Sequence, residues 1–195
     1  MTIRRVQAVV LCEGLKDYNF ARKCLVRCGW RPDQIAPKVS PTGEGSGFTF
    51  VLNEYAAEVR ANRNGKRERS LLVLVDADTE SEGGREKALD KRLRDTDQKP
   101  RNKGERIALW VPRRQFETWV HFLTQGQADE ETDYKRTHAV KEHEYKPAAD
   151  QFAQLLEKRR SLPSKAVHSL KKAVVEFERL RTSRSKGLKR PTRKR

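Results

Sequence analysis

The sequence predicts an α/β fold: an open, mostly parallel four-stranded sheet flanked by helices. Three observations carry this expectation. Short apolar, β-branched runs alternate along the chain with longer stretches of helical periodicity. One run, Ser70 to Val75 (SLLVLV), is apolar without alternation, the pattern of a central strand covered on both faces. The 195 residues are enough to bury a core without disulfide staples, and the three cysteines Cys12, Cys24 and Cys28 form an odd set with no Cys-x-x-Cys pair.

The elements follow in order. A first strand is expected over Val6 to Cys12 (VQAVVLC), closed by the turn signal Glu13-Gly14. The next helix covers Tyr18 to Cys28, where Phe20, Cys24, Leu25 and Cys28 share a face. A weaker second strand falls at Gln34 to Val39. The loop Ser40 to Gly47 (SPTGEGSG) leads to a helix over Phe48 to Ala61, followed by the polar loop Arg63 to Arg67. Ser70 to Val75 stops at Asp76-Ala77-Asp78. A polar helix over Gly84 to Asp95 comes next, then a loop with Pro100 and Gly104. The fourth strand, Arg106 to Val111, is ended by Pro112, and Phe116 to Leu123 (FETWVHFL) reads as a short helix.

After Gly126 the character changes. Asp129 to Lys146 reads mainly as charged loop, and Pro147 to Arg159 as a helix with Phe152, Leu155 and Leu156 on one face. Pro163 to Arg181 reads as a second helix through Val167, Leu170, Val174 and Phe177, the pair forming a hairpin over the sheet. The expected organisation is therefore an α/β domain over 1–126, a helical extension over 127–181 and a tail over 182–195. That tail has seven basic residues and no acids, too little apolar surface to offset the entropy of ordering.

The formal net charge is +16, but Lys158 to Arg195 alone carries +13, which leaves the first 157 residues at +3. Basicity is thus a property of the C-terminal fifth. The tail residues Arg184, Lys186, Lys189, Arg190, Arg193, Lys194 and Arg195 read as a salt-sensitive track for nucleic-acid phosphates, against the plainer reading of a solvated tail. No window approaches the roughly 18 to 20 apolar residues of a membrane span, and the apolar run before Glu13 is too short for a secretory signal. A cytoplasmic chain without a membrane partner is expected, its cysteines reduced and buried.

Open α/β sheets bind ligands beyond the carboxyl ends of their strands, and here those ends carry acids. Glu13 follows the first strand, Asp76 and Asp78 the third, with Glu80 and Glu82 beyond, and Glu117 lies five residues after the fourth. If the first and third strands are neighbours, Glu13, Asp76 and Asp78 converge. Clustered carboxylates repel one another unless a cation sits among them, and oxygen ligands without His or Cys point to magnesium or manganese rather than zinc. Taken singly, each acid also reads as a helix cap or a solvated loop residue.

Together and in this order, VVLCEGLKDYNFARKCL and LLVLVDAD resemble the Toprim domain of topoisomerases, primases and certain nucleases, over roughly Val6 to Leu123. That resemblance implies a Toprim-like, Rossmann-like fold with Glu13 as metal ligand or general acid/base and Asp76 and Asp78 as magnesium ligands. Asp17, with Glu117 in VPRRQFETW, looks more specifically like the nucleases of the overcoming-lysogenization-defect (OLD) type. The resemblance to that type implies a two-metal site, Mg2+ or Mn2+: Asp76 bridging, Glu13 and Asp78 completing one ion, and Asp17 and Glu117 serving the second. Arg113, Arg114 or Lys146 would supply a transition-state cation.

Two departures stand beside the resemblance. There is no G-x-x-x-x-G-K-[ST] nucleotide loop, so the ATPase that OLD proteins carry would be a separate partner, and the chain lacks the modules of a topoisomerase or primase. The function expected is a nuclease acting on nucleic acid, DNA ahead of RNA, in an anti-phage setting, with a homo-oligomer allowed. A Toprim ribonuclease maturing ribosomal RNA, or a non-catalytic Toprim-shaped binding subunit, are the alternatives. His138 and His143 flank Glu142 on a loop, and Trp30, Trp110 and Trp119 read as packing residues rather than base-stacking platforms.

Overall fold

Four parallel strands form one sheet in the order β2-β1-β3-β4. They are β1 (Ala8–Cys12), β2 (Ile35–Val39), β3 (Ser70–Leu74) and β4 (Ile107–Trp110). The structure is a computed structural model and describes residues 6–41, 46–65, 69–137 and 139–181. The basic tail from Thr182 to Arg195, His138 and the centre of the glycine-rich loop at 42–45 lie outside the described residues.

In register, Ala8 sits beside both Ile35 and Ser70, and Leu71 beside Ile107. β1 and β3 are buried at every position because helices cover both faces, which is why their apolar runs show no alternation. The period of two then sorts side chains between two cores. Val10, Cys12, Leu72, Leu74 and Trp110 face one helical layer, and Val9, Leu11, Leu71, Val73 and Leu109 face the other. Pro37 is paired with Val10 in β2, an outer strand in the order, where a missing N–H is tolerated.

Among the described residues, six α-helices flank the sheet: α1 (Leu15–Arg27), α2 (Gly47–Asn64), α3 (Glu82–Arg94), α4 (Phe116–Gln125), α5 (Tyr145–Glu157) and α6 (His168–Arg181). α2 and α3 pack on one face, and Ser81 caps α3 by accepting the Gly84 N–H at 2.9 Å. α1, α4, α5 and α6 share the other face around Phe20, Trp110, Trp119, Phe152 and Phe177. Trp110 lies 5.5 Å from Phe152 and 5.8 Å from Phe177, ring centre to ring centre, so the C-terminal helices share the core of the α/β domain.

The expected helical hairpin is looser than the sequence implied. α5 packs chiefly on α1 and α4, while α6 runs beside β4. The reason is visible at the β4 edge, where Glu176 of α6 accepts the Leu109 N–H at 3.0 Å and Arg101 donates to the Ile107 carbonyl at 3.0 Å. α6 begins at His168, not Pro163, because a turn with Ala166 N–H bonded to the Pro163 carbonyl at 2.9 Å precedes it. α5 begins at Tyr145 after a short 3-10 turn over Glu142–Glu144. The charged stretch before it lacks regular structure but is anchored by Tyr134, whose hydroxyl accepts the Asp129 N–H at 2.8 Å.

Candidate functional site

β1 and β3 are hydrogen-bonded neighbours, and the chain reverses its direction of travel across the sheet between them. The crevice beyond their carboxyl ends is therefore the topological switch point, where open α/β sheets hold ligands. Glu13 and Asp76 emerge side by side there. Glu13 Oε1 accepts the Asp76 N–H at 3.0 Å, closing the gap between the two strand ends. β3 and β4 keep pairing past their ends, with Ala77 N–H to the Pro112 carbonyl at 3.0 Å and Asp78 N–H to the Arg114 carbonyl at 2.6 Å. Asp78 adopts a left-handed φ of 52°, a conformation Asp accepts more readily than most residues.

The start of α2 closes the site from the side. A Cβ on Gly47 would lie 2.6 Å from Glu13 Oε2 and 2.8 Å from the Glu13 Cβ, so only glycine fits this approach. Asp17 enters from the first turn of α1, and Glu117 from the first turn of α4, where acids are favoured by the helix dipole. Glu117 is buried and accepts a 2.6 Å hydrogen bond from the Tyr145 hydroxyl of α5.

Electrostatic coupling links the five acids through Asp76. Burial pushes the Asp76 carboxyl far above its ordinary range, and the charges of Asp17, Glu13, Glu117 and Asp78 each push it further. Burial, then Glu13 and Glu117, raise Asp17 to about 7, against a lowering bond from the Gly14 backbone. Glu13 is raised first by burial and also by Asp78, with the Asp76 N–H bond, Arg85 and Lys135 acting the other way. Tyr145 is pushed up by burial and by its bond to Glu117.

The cations are where expectation and structure diverge. Arg113 is committed to Glu131 at 3.0 Å and to the Glu80 carbonyl at 2.9 Å. Arg114, with φ of 61°, pairs with Asp133 at 3.5 Å and shares a small cavity of about 110 Å3 with Asp78. Lys146 is exposed on the first turn of α5. The guanidinium that enters the cluster is instead Arg85, whose Nε donates to the Asp76 carbonyl at 2.9 Å and whose Nη2 binds Asp78 at 2.7 Å. It stacks 4.0 Å over Phe48, which fixes its plane. A signal for Arg85 existed, because a cation near a helix start runs against the dipole preference. Lys135, whose charge reaches Glu13 and Asp17, comes from the irregular 127–141 stretch and carried no such signal.

Other candidates fall elsewhere. Glu82 turns to Lys172 of α6 at 3.8 Å, so it belongs to a separate cluster with Glu86. Trp119 donates to Ser169 Oγ at 2.7 Å and Trp30 packs against Phe177, both in the core. His143 lies in the turn before α5, and His121 stacks on Tyr134 at 4.3 Å between ring centres. The cysteines are free; Cys12 and Cys24 are buried, while Cys28 is half-buried. Among the described residues, no helix is long and apolar enough to cross a membrane.

Among the described residues, no three His, Cys, Asp or Glu side chains are grouped so as to hold a metal ion as they stand. Three of the five acids face protein donors: Glu13 the Asp76 N–H, Asp78 the Arg85 guanidinium and Glu117 the Tyr145 hydroxyl. The donor chemistry is nonetheless that of a hard cation. It is all carboxylate; the adjacent Cys12 thiol donates to the Gly14 carbonyl at 3.4 Å, and burial pushes its pKa up. A scan against family models found no match, and comparisons with curated proteins and with solved structures found none either.

Proposed function

We propose that the chain is a Toprim-type nuclease, dependent on magnesium or manganese, that hydrolyses phosphodiester bonds of nucleic acid at the switch-point carboxylates. The observation that carries this reading is the convergence on Asp76 of Asp17, Glu13, Glu117 and Asp78, drawn from the first and third strand ends and two helix starts. Asp76, Glu13 and Asp17, whose carboxyls are raised by desolvation and by neighbouring charge, would be stabilised in their ionised form by a divalent ion, which replaces protons as the neutralising charge. Asp76 would be the central ligand; Glu13 and Asp78 would hold one ion with it, and Asp17 and Glu117 would serve the second. When bound, such a pair supplies charge stabilisation for the attacking and leaving oxygens.

The chain's own groups do the positioning. Arg85 fixes Asp78 and the Asp76 carbonyl, Tyr145 fixes Glu117, and Gly47 lets α2 press against Glu13. Lys135, exposed and within electrostatic reach of Glu13 and Asp17, is the cation placed to meet a substrate phosphate. The basic tail adds salt-sensitive attraction for the same polyanion. DNA as substrate, a cytoplasmic setting, an anti-phage role and a separate ATPase partner rest on the family resemblance.

The deciding assay incubates the full chain with single- and double-stranded DNA and RNA in magnesium, manganese or EDTA. Cleavage is expected with either ion and not in EDTA, with Asp76→Ala losing roughly two to three orders of magnitude in rate. Undiminished cleavage by a folded Asp76→Ala variant defeats the reading.

One observation favours a second reading. Arg85 already neutralises Asp78 and braces the Asp76 backbone, as a protein cation would in a non-catalytic binding subunit. Metal titration separates the two: two Asp76-dependent ions per chain mark a nuclease, one or none a binding subunit.

A further inference from the structure

Asp78 stands in the carboxylate cluster already bonded to a cation of the protein, through the 2.7 Å contact between its Oδ2 and Arg85 Nη2. The two partners of this ion pair are held very differently. The Arg85 side chain is only 13% exposed, its Nε donates to the Asp76 carbonyl at 2.9 Å, and its guanidinium lies 4.0 Å over the Phe48 ring. The Asp78 side chain is 58% exposed, and what fixes the residue is its backbone, with the N–H bonded to the Arg114 carbonyl at 2.6 Å.

An ion pair with one partner more than half in water is weak. Rotation of the Asp78 side chain alone is therefore enough to break it, while the Asp76 carbonyl and Phe48 keep Arg85 where it is. The charge of Arg85 also reaches Glu13, where it opposes the repulsion from Asp78. The guanidinium thus does, with one positive charge, part of the neutralising that a divalent ion would do with two. Both cations take carboxylate oxygens, and their like charges oppose joint occupancy of one carboxylate.

We propose that Arg85 is a resident counter-cation, which holds Asp78 in the metal-free protein, is exchanged there for the divalent ion, and so sets how tightly the site takes metal. This inference rests on the reading that the switch-point carboxylates hold divalent ions, and it adds a device that governs their entry. Arg85 acts on the ion through Asp78 and is a positioning residue. The exchange needs one side-chain rotation and no movement of the backbone.

The test is isothermal titration of Mn2+ into the full-length chain as wild type, Arg85→Gln and Arg85→Lys, with Asp76→Ala identifying the ions bound at the carboxylates. Removing a competing positive charge is expected to tighten Asp76-dependent binding about tenfold in Arg85→Gln, whereas Arg85→Lys, which keeps the charge, stays within about threefold of wild type. A guanidinium that merely braces Asp78 gives the opposite order, because both variants lose the brace. Asp76-dependent binding that is equal or weaker in Arg85→Gln overturns the inference and leaves the nuclease reading standing. Absence of Asp76-dependent binding in wild type and both variants overturns both.

A second measurement keeps the wild-type chain, so it decides alone should Arg85→Gln not fold. The guanidinium resonances of Arg85 are followed by 15N NMR during Mg2+ titration. Faster rotation of the Nη groups is expected as Asp78 lets go, with the Nε–H still protected by the Asp76 carbonyl. Resonances that do not move while Mg2+ saturates the site overturn the exchange.

Discussion

The two ends of one sheet are built on opposite principles. At the carboxyl end, five acids converge through strand ends and helix starts, and burial with mutual repulsion holds Asp76, Glu13 and Asp17 above their ordinary pKa. At the amino end, arginines from distant parts of the chain meet around helix carboxyl ends, anchored largely on backbone carbonyls. The acidic end keeps carboxyls whose ionisation is opposed by desolvation and neighbouring charge, while arginines of the basic end are bonded to carbonyls and carboxylates. The first therefore responds to pH and to added cations, and the second is a bonded surface that closes the sheet's other end.

The pH dependence of stability tests this contrast most strongly. Asp17 moves from an ordinary 3.8 to about 7 in the folded chain, so the native state keeps a proton that the unfolded state releases. With the native value raised, stability is fullest at low pH, falls as pH climbs from 3.8 through about 7, and stays low above it. Asp76 and Glu13 add in the same direction. Magnesium should raise the melting temperature by about 5 °C or more at pH 8 and far less at pH 5. An equal shift at both values in calorimetry would show that the acids are not in conflict.

Gly47→Ala should cost about 1–3 kcal/mol through the clash with Glu13, read in urea unfolding, and should lower metal affinity as well. A neutral result would mean that α2 gives way easily. Asp76→Asn should stabilise the metal-free protein at pH 8 by about 1–2 kcal/mol, because ionisation of the unfolded carboxylate no longer competes with the raised native carboxyl. Smallest of all, Tyr145→Phe should cost about 1 kcal/mol by removing the donor to buried Glu117, seen as a lower melting temperature with the fold intact.

The acidic end was legible in the sequence because its residues interrupt hydrophobic runs. Glu13 ends β1 and Asp76 follows β3, so one strand-end rule finds both, and β3 itself stood out as SLLVLV. Lys135 was not found, since its role depends on how the irregular 127–141 stretch folds, and Arg85 was missed although a cation near a helix start runs against the dipole preference. The arginine-lined surface at the amino end was hidden for the same reason as Lys135: positions 27, 106, 159 and 181 are ordinary arginines in sequence and become one surface only when α1, α5, α6 and β4 align. Helix starts drifted where local patterns conflict, as in α1, which begins at Leu15 through exposed Lys16 ahead of its apolar face.

The bonds at the outer side of β4 have a further consequence for assembly. Leu109 N–H is taken by Glu176 and the Ile107 carbonyl by Arg101, so these backbone groups are not offered to another strand. On the opposite margin, Pro37 interrupts the row of N–H donors. Both borders of the sheet are thus blunted against continuation. Extending this sheet into a second copy of the chain is therefore disfavoured at both borders.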